Sequence, residues 1–204
     1  MFGGKNILLG ITGGIAAYKT ANLVRLFKKS GANVQVVMTP NAKEFVTPLT
    51  LSTLSENPVH SVFADEESGE WTNHVELGLW ADIFIIAPAT ANTIGKMANG
   101  LCDNLLMATY LSSKCQVFVA PAMDLDMYKH KTTTDNLQKL ISNGNIIIDA
   151  KEGELASGLV GKGRMEEPEN IFNTVNEYLK EGLLLSGKKV LITAGPTFEQ
   201  IDPV

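Results

Sequence analysis

The chain has 204 residues, more than the roughly 150 of a typical domain, and its 45% hydrophobic content can support a self-sufficient core. Its 17 Lys and Arg against 22 Asp and Glu give a net charge of -5, which excludes binding to nucleic acid by phosphate neutralisation. No apolar run reaches the roughly 18 residues of a membrane span, and two cysteines without CxxC spacing do not make a secreted disulfide scaffold. We therefore expect a cytoplasmic protein without nucleic-acid or membrane partners, and no metal site, because the three histidines are scattered.

Short apolar runs of strand length recur along the chain, at 7–11, 34–38, 83–87, 117–120, 146–148 and 190–192. Continuous apolar runs are typical of strands that are buried on both faces. Between the first two, segment 16–29 has helical spacing, a basic last turn and Gly31 as a stop signal. The repeated pattern predicts an α/β fold with a doubly wound, mainly parallel sheet in three layers, Rossmann-like or flavodoxin-like. A ligand site is expected at the carboxyl ends of its strands.

Two segments lack this alternation of apolar strands and helical stretches. Segment 65–73 is acidic and rich in turn residues, which predicts a surface loop. Segment 151–168 contains four glycines and no usable period. A structureless stretch of this length inside a domain is usually functional or mobile, so we interpret it as a flap.

The first predicted strand leads into a glycine pair, Gly13 and Gly14, at the start of a helix. Such a turn lets backbone amides approach an anion, although it also forms where nothing is bound. A Walker A motif needs glycine where Tyr18 stands, and the dinucleotide pattern GxGxxG needs glycine where Thr12 stands. The turn therefore favours a mononucleotide phosphate.

The loops after the next strands carry further polar side chains at the same edge. Thr90, Asn92 and Thr93 either cap a helix or hydrogen-bond a polar heterocycle. Asp124 follows the sequence Ala-Pro-Ala-Met and is either a turn residue or a neighbour of the ligand.

His74 is the histidine with the most informative context. Asn73 as N-cap and Glu76 three residues later predict a capped helix start, with His74 in its first turn. The positive end of a helix favours a neutral imidazole, which suits a general base. His60 and His130 lack this context, and a structural role for His74 remains the alternative.

Several segments together resemble one family. They are GGIAAYK at 13–19, NHVEL at 73–77, PATANTIGKMANG at 88–100, PAMD at 121–124 and GKGRM at 161–165. They resemble the homo-oligomeric flavin-containing cysteine decarboxylases, and among these the phosphopantothenoylcysteine decarboxylases, over about residues 1–185. The resemblance implies an FMN cofactor at a subunit contact within trimers or assemblies of trimers. The implied cofactor residues are Gly13, Gly14, Ile15, Thr39, Thr90, Asn92, Thr93 and Met123.

The resemblance also implies a reaction. The cysteinyl thiol of 4'-phosphopantothenoyl-L-cysteine would be oxidised to a thioaldehyde, lose CO2 and be reduced again to 4'-phosphopantetheine, in coenzyme A biosynthesis. His74 matches the essential histidine of the family, and Ala156, Arg164 and Met165 match its substrate clamp.

Two positions depart from the family pattern. Asp124 stands where an asparagine is usual, and an ionised carboxylate there would repel a substrate carboxylate. Ser157 stands where a cysteine is the expected proton donor, and a hydroxyl is a far weaker acid than a thiol. Either another acid serves, with Cys102 a remote candidate, or the enethiol product accumulates.

The end of the chain, 187–204, resembles the opening of a phosphopantothenate–cysteine ligase domain. We therefore expect an FMN-binding decarboxylase domain at 1–186, with its flap at 151–168, followed by the truncated start of a ligase domain. Two other functions on this scaffold remain open: a flavin prenyltransferase, and a non-catalytic flavin-binding regulatory subunit.

Overall fold

Six parallel strands form the central sheet of this computed structural model, which describes residues 2–64 and 69–181 together with the isolated positions 189, 191, 193 and 195. The strands are β1 (Asn6–Ile11), β2 (Asn33–Met38), β3 (Val59–His60), β4 (Ile83–Ala89), β5 (Gln116–Pro121) and β6 (Ile146–Ile147). Their order is β3-β2-β1-β4-β5-β6. The order reverses between β1 and β4, where parallel sheets of this kind bind ligands.

Helices cover both faces of the sheet. They are α1 (Thr20–Lys29), α2 (Pro48–Ser55), α3 (His74–Trp80), α4 (Ala91–Asn99), α5 (Leu105–Ser112), α6 (Leu125–Lys129), α7 (Lys131–Ser142) and α8 (Pro168–Glu181). One core cluster joins the sheet to α1, α2 and α8, and a second joins it to α4, α5 and α7. The predicted three-layer α/β fold is confirmed.

The buried strands explain the apolar runs of the sequence. Every residue of β4 is buried, and consecutive residues of β1, such as Leu8 and Leu9, enter opposite core clusters. A strand with a core on each face carries no polar alternation. On the α1 side, the rings of Phe2, Phe27 and Phe172 meet at centroid distances of 4.9 to 5.2 Å and pack α8 against α1 and the segment before β1.

The predicted start of the first α-helix, at residue 16, is wrong. Residues Ile15–Lys19 form a 3-10 helix, and the α-helix begins at Thr20, whose hydroxyl donates to the Ala17 carbonyl at 2.6 Å. The predicted stop is confirmed, because Gly31 has a φ of 85°, which glycine adopts without strain. Strand β3 went unpredicted, because the polar residues His60 and Ser61 follow Val59 and leave no continuous apolar run.

The expectation of a structureless segment at 151–168 is also wrong. It forms the antiparallel hairpin β7 (Lys151–Glu154) and β8 (Val160–Arg164), and α8 begins at Pro168. Gly161 and Gly163 occupy strand positions that face the 123–125 loop. A Cβ at Gly161 would lie 2.6 Å from Leu125 Cδ1, and one at Gly163 would collide with the Met123 carbonyl oxygen. Glycines required by this close approach erase the alternating pattern that identifies a strand.

Two predictions fall on residues outside this description. The structure describes segment 65–73 from residue 69 onward, where Trp71 bridges to Ala64. The predicted strand at 190–192 and the domain boundary after 186 lie where only isolated positions are described, so both stay predictions. Within the described ranges, no helix has the length and apolar character to cross a membrane.

Candidate active site

A cavity of about 860 Å³ opens at the carboxyl edge of the sheet, where β1, β4 and β5 end, and the β7–β8 hairpin closes one side. This volume lies within the range of small-molecule and cofactor sites. Apart from His74, every predicted site residue lines it: Gly13, Gly14, Ile15, Thr39, Thr90, Asn92, Thr93, Met123, Asp124, Ala156, Ser157, Arg164 and Met165. One chain therefore assembles the predicted cofactor and substrate residues in one place.

The two glycines of the first turn differ in their surroundings. A Cβ at Gly13 would lie 2.8 Å from the Asn41 Cβ and 3.0 Å from its carbonyl carbon, so Gly13 is required by packing. A Cβ at Gly14 would meet only Thr90 Cγ2, at 3.5 Å. Since Gly14 lines the cavity, its missing side chain leaves backbone open for a ligand.

Thr12 fastens the turn after β1 to the turn after β4. Its buried hydroxyl donates to the Pro88 carbonyl at 2.6 Å and accepts from the Thr90 backbone N–H at 3.1 Å. The residue that breaks the dinucleotide pattern is thus a structural tie across the switch point of the sheet.

The polar residues after β4 include the predicted helix cap and also line the cavity. Thr90 is the N-cap of α4, where its hydroxyl accepts from Thr93 N at 3.4 Å and donates to Thr93 Oγ1 at 3.3 Å. Both residues also line the cavity, with the exposed Asn92 between them. Across the cavity, the Thr39 hydroxyl is buried and has no hydrogen-bond partner within the described part of the chain.

Two lysines that the sequence analysis did not assign line the cavity, and each has an acidic partner. Buried Lys19 contacts Glu167 at 3.0 Å, and Lys96 contacts Asp103 at 2.5 Å. The hydrogen bond from Lys96 lowers the pKa of Asp103. Lys19 and Lys96 stand within the motifs 13–19 and 88–100, which could have pointed to them. Asn41 and Asn104, which also line the cavity, carried no such signal.

The tip of the hairpin faces the cavity. Gly158 N donates to the Leu155 carbonyl at 2.9 Å, which makes Ala156 and Ser157 the central residues of a tight turn. Gly158 has a φ of 83°, in the left-handed region that such a turn requires. Ser157 is exposed at this tip and lines the cavity.

The loop after β5 holds the hairpin in place. Met123 N donates to the Gly163 carbonyl at 3.0 Å. Asp124 occupies the N-cap position of α6, yet its side chain accepts no capping hydrogen bond. The carboxylate of Asp124 is thus half-buried at the cavity without the turn role that the sequence left open.

A second connection ties the hairpin to α6. The Asp149 carboxylate accepts hydrogen bonds from the Tyr128 hydroxyl and from the Lys162 ammonium of β8. The Lys162 Nζ also lies 5.8 Å from the centre of the Tyr128 ring. Burial and the Asp149 contact raise the pKa of Tyr128 to about 12, so the phenol stays a proton donor in this contact.

His74 lies in the first turn of α3, as predicted, but it does not line the cavity. The Asn73 side chain accepts from Val75 N at 3.1 Å and from Glu76 N at 3.2 Å, which confirms the predicted cap. The His74 ring packs against Phe63 and Trp71, and its Nδ1 is buried without a hydrogen-bond partner among the described residues. A single chain therefore does not bring His74 to the other predicted site residues.

The remaining histidine and cysteine candidates lie elsewhere. His130 is the N-cap of α7, where its Nδ1 accepts from Thr132 N at 3.2 Å, a structural role. Cys102 is exposed and does not line the cavity. Burial raises the pKa of the Cys115 thiol to about 11. The described residues hold no group of three or more His, Cys, Asp and Glu side chains suited to a metal ion.

Comparison with known proteins decides the family. The sequence pattern named Flavoprotein matches residues 1–180. This chain belongs to the flavoprotein family. The pattern of the C-terminal domain of DNA/pantothenate metabolism flavoproteins matches residues 185–204 of this flavoprotein.

Two relatives and one solved structure illustrate the likeness. The flavoprotein is 57% identical over 163 residues to a cysteine/cysteine sulfinic acid decarboxylase of an unknown prokaryotic organism, covering 78% of this chain and 45% of that protein. It is 45% identical over 206 residues to the coenzyme A biosynthesis bifunctional protein CoaBC of Bacillus subtilis strain 168, covering 100% of this chain and 51% of that protein. The chain thus spans about half the length of these relatives.

The solved structure is a PPC decarboxylase mutant complexed with pantothenoylaminoethenethiol, with a TM-score of 0.78 and 35% identity over 87% of this chain and 99% of that one. FMN-dependent cysteine decarboxylases are also among the solved structures that share this fold. The expected fold and the expected flavin family are confirmed.

Proposed function

We propose that this flavoprotein is an FMN-dependent carboxy-lyase that converts 4'-phosphopantothenoyl-L-cysteine into 4'-phosphopantetheine in coenzyme A biosynthesis. The observation that carries the proposal is the single cavity lined by the predicted cofactor and substrate residues. The likeness to CoaBC and to PPC decarboxylase supports the same reaction.

The residues of the cavity fit FMN. The buried Thr39 hydroxyl lacks a partner, and the backbone at Gly14 is open toward the cavity, as a phosphate site requires. We assign the phosphate to Gly13, Gly14, Ile15 and Thr39, and the ring system to Thr90, Asn92, Thr93 and Met123. FMN held there would supply a reversible hydride acceptor for the carbon that bears the thiol.

The chain's own residues handle charge and protons. We assign to Arg164 the binding of an anionic group of the substrate, because its guanidinium offers a planar set of donors at the cavity. Met165 and Ala156 line the same side and exclude water. The Ser157 hydroxyl donates a hydrogen bond to the enethiolate sulfur or carbon but is a weak acid, which slows the last protonation.

His74 acts, in this proposal, from a second copy of the chain. It lies outside the cavity of its own chain, and its ring packs against Phe63 and Trp71, which are exposed apolar side chains. Ile15 and Tyr18 at the cavity are likewise exposed. Burial of these side chains in a homo-oligomer, a trimer or an assembly of trimers, would remove apolar surface from water and bring His74 to a neighbouring cavity as the general base.

A mixing experiment tests the shared site. His74→Asn and Arg164→Ala single variants are expected to be inactive when assembled separately. Co-expression of the two is expected to recover part of the activity, because some sites then combine intact His74 with intact Arg164. Failure of the mixture, with both variants folded and yellow, would place His74 and Arg164 in the same chain's site and contradict this arrangement.

Two further parts of the proposal follow from the sequence. We assign 1–186 to the decarboxylase domain and 187–204 to the start of a ligase domain, and the match of residues 185–204 to a C-terminal domain pattern supports this division. The ligase domain would then be a partner in the full-length protein. A cytoplasmic location remains a prediction from the two unpaired cysteines.

Free cysteine is a second candidate substrate. The relative with 57% identity is named a cysteine/cysteine sulfinic acid decarboxylase. In addition, the Asp124 carboxylate at the cavity makes no capping hydrogen bond and has no ion pair with a described residue. A carboxylate there suits the α-ammonium group of a free amino acid, which an N-acylated cysteine lacks.

One assay distinguishes these substrates. The purified yellow protein is incubated anaerobically with 4'-phosphopantothenoylcysteine or with cysteine, and product mass and flavin absorbance are followed. With the first substrate we expect a product that is lighter by 44 mass units, the mass of CO2. A product that is two mass units lighter still, together with bleached flavin, would show that the reaction stops before the final reduction and protonation, the step assigned to Ser157. Bound flavin with neither product would favour a regulatory subunit or a flavin prenyltransferase instead.

A further inference from the structure

Buried Lys19 connects the glycine turn to the end of the hairpin. Its side chain is only 7% exposed, and its Nζ donates to the Met165 carbonyl at 3.2 Å and to Glu167 Oε2 at 3.0 Å. A buried ammonium requires such partners, since burial of an unpaired charge is costly. Lys19 ends the 3-10 turn that begins at Ile15, so this contact joins the cofactor side of the cavity to its substrate side.

Glu167 divides its carboxylate between two cations. Oε2 accepts from Lys19, and Oε1 accepts from Arg164 Nη2 at 3.2 Å. The hydrogen bond from Lys19 lowers the pKa of Glu167, and the charges of Lys19, Arg164 and Lys151 act in the same direction, so Glu167 is ionised at neutral pH.

Arg164 is restrained on its other side by the hairpin. Its Nη1 and Cδ lie 3.5 and 3.6 Å from the place where a Cβ of Gly153 would stand, so the side chain lies across β7. Arg164 itself is 42% exposed, and a single exposed contact with Glu167 would orient it weakly. Because the buried Lys19 holds the Glu167 carboxylate in place, Arg164 contacts a carboxylate whose position is fixed.

We infer that Glu167 is a positioning residue, which, fixed by Lys19, holds the Arg164 guanidinium at the cavity while leaving its other donors free for an anionic group of the substrate. Glu167 does not line the cavity and touches no reacting atom. The inference rests on the proposed decarboxylase function, in which Arg164 binds the substrate. It predicts that the position of Arg164 depends on Glu167 and Lys19 as a unit.

The test compares Glu167→Gln with Glu169→Gln in the assembled, flavin-loaded protein. Glu169 is the matched control, since it lies in the first turn of α8 and accepts from Asn22 at 2.8 Å without contacting Arg164 or Lys19. Positioning predicts that Glu167→Gln raises KM by about tenfold with kcat within about twofold, and that Glu169→Gln changes neither. A lowered KM in Glu167→Gln would show that the carboxylate merely neutralises Arg164 and would overturn the inference.

A double variant separates positioning from stability. Glu167→Gln leaves the buried Lys19 charge without its carboxylate, so a lower Tm is expected for that reason alone. Lys19→Met combined with Glu167→Gln removes both charges and is expected to recover Tm while KM stays raised. Recovery of KM together with Tm would assign Glu167 a structural role only.

A substrate-independent measurement keeps the inference separate from the proposed function. Trypsin cleaves after Arg164, and the contacts of Lys19 with the Met165 carbonyl and of Glu167 with Arg164 restrain the backbone and side chain on either side of that bond. Glu167→Gln is expected to be cut there several-fold faster than the parent, and Glu169→Gln at the parent rate. If the parent lacks decarboxylase activity, the proposed function fails, but the cleavage rate still measures how firmly Glu167 and Lys19 hold Arg164. Equal cleavage of the parent and both variants would contradict this inference.

Discussion

The turn after β1 and the β7–β8 hairpin face each other across the cavity, but they are held in different ways. The turn sits on central strands whose residues are almost entirely buried, and Gly13 and Thr12 pack and bond it to neighbouring turns. The hairpin is largely exposed, and its attachment consists of a few contacts, such as the Met123–Gly163 hydrogen bond and the Asp149–Lys162 pair. The expected cofactor side is thus held by the buried strands of the sheet, whereas the expected substrate side is held by a few contacts at its surface.

This difference means that changes in the two regions should have separate effects. Damage to the hairpin is expected to reduce turnover and leave flavin bound, whereas damage to the turns is expected to reduce stability and flavin binding together. The Lys19–Glu167–Arg164 contacts are the exception, because they join the two regions.

The largest expected effect is that of Gly163→Ala. The new Cβ would collide with the Met123 carbonyl oxygen, and overpacking of about 1–3 kcal/mol would displace the hairpin from the cavity. We expect kcat/KM to fall by about 100-fold while the flavin content per chain is retained. Gly14→Ala is the opposite case, since its Cβ fits the fold but enters the cavity and should lower flavin content first. Equal flavin loss in both variants would remove the distinction between the two regions.

Ser157→Cys is expected to have the next largest effect. A thiol near pKa 8.5 is a far stronger acid than a hydroxyl, so the final protonation should accelerate by about tenfold or more. Stopped-flow measurement of flavin reoxidation and mass analysis of the product would show it. Unchanged rates, with the thiol confirmed as free, would indicate that another group already donates this proton.

Thr12→Val tests the turns without touching the hairpin. Valine keeps the shape but leaves the buried Thr90 N–H without its acceptor, at a cost of about 1–3 kcal/mol. Urea denaturation should show a lower midpoint with an unchanged slope. Thr53→Val serves as control, because that exposed hydroxyl donates to the Leu49 carbonyl within α2.

The smallest expected effect concerns acid stability. Lys19 and Arg164 lower the pKa of Glu167 below its usual 4.5, so the folded state binds this proton less readily than the unfolded state does. The stabilisation is fully present above about pH 4.5 and is lost as pH falls through the lowered pKa. Melting temperatures between pH 7 and 3 should therefore fall less steeply in Glu167→Gln than in the parent or in Glu169→Gln. Parallel curves for all three would contradict this coupling.

Much of the fold and the site followed from local sequence. The apolar runs predicted five strands of the sheet, and the side chains that follow β1, β4 and β5 gave the residues of one cavity, since parallel strands end at a common edge. The hairpin was missed because Gly161 and Gly163 replace the alternating side chains of a strand. The cap at Asn73 was predicted because its signal spans only three residues.

Sequence alone determined which layers form and which edge of the sheet carries the site, because these depend on spacing along a strand or a turn. Only the tertiary structure decided that His74 lies outside the cavity of its own chain and that Lys19, Glu167 and Arg164 form one group. Lys19 and Glu167 are 148 residues apart, and no local pattern specifies such a contact. It exists because α8 returns to pack beside α1, where burial of the Lys19 ammonium requires a carboxylate.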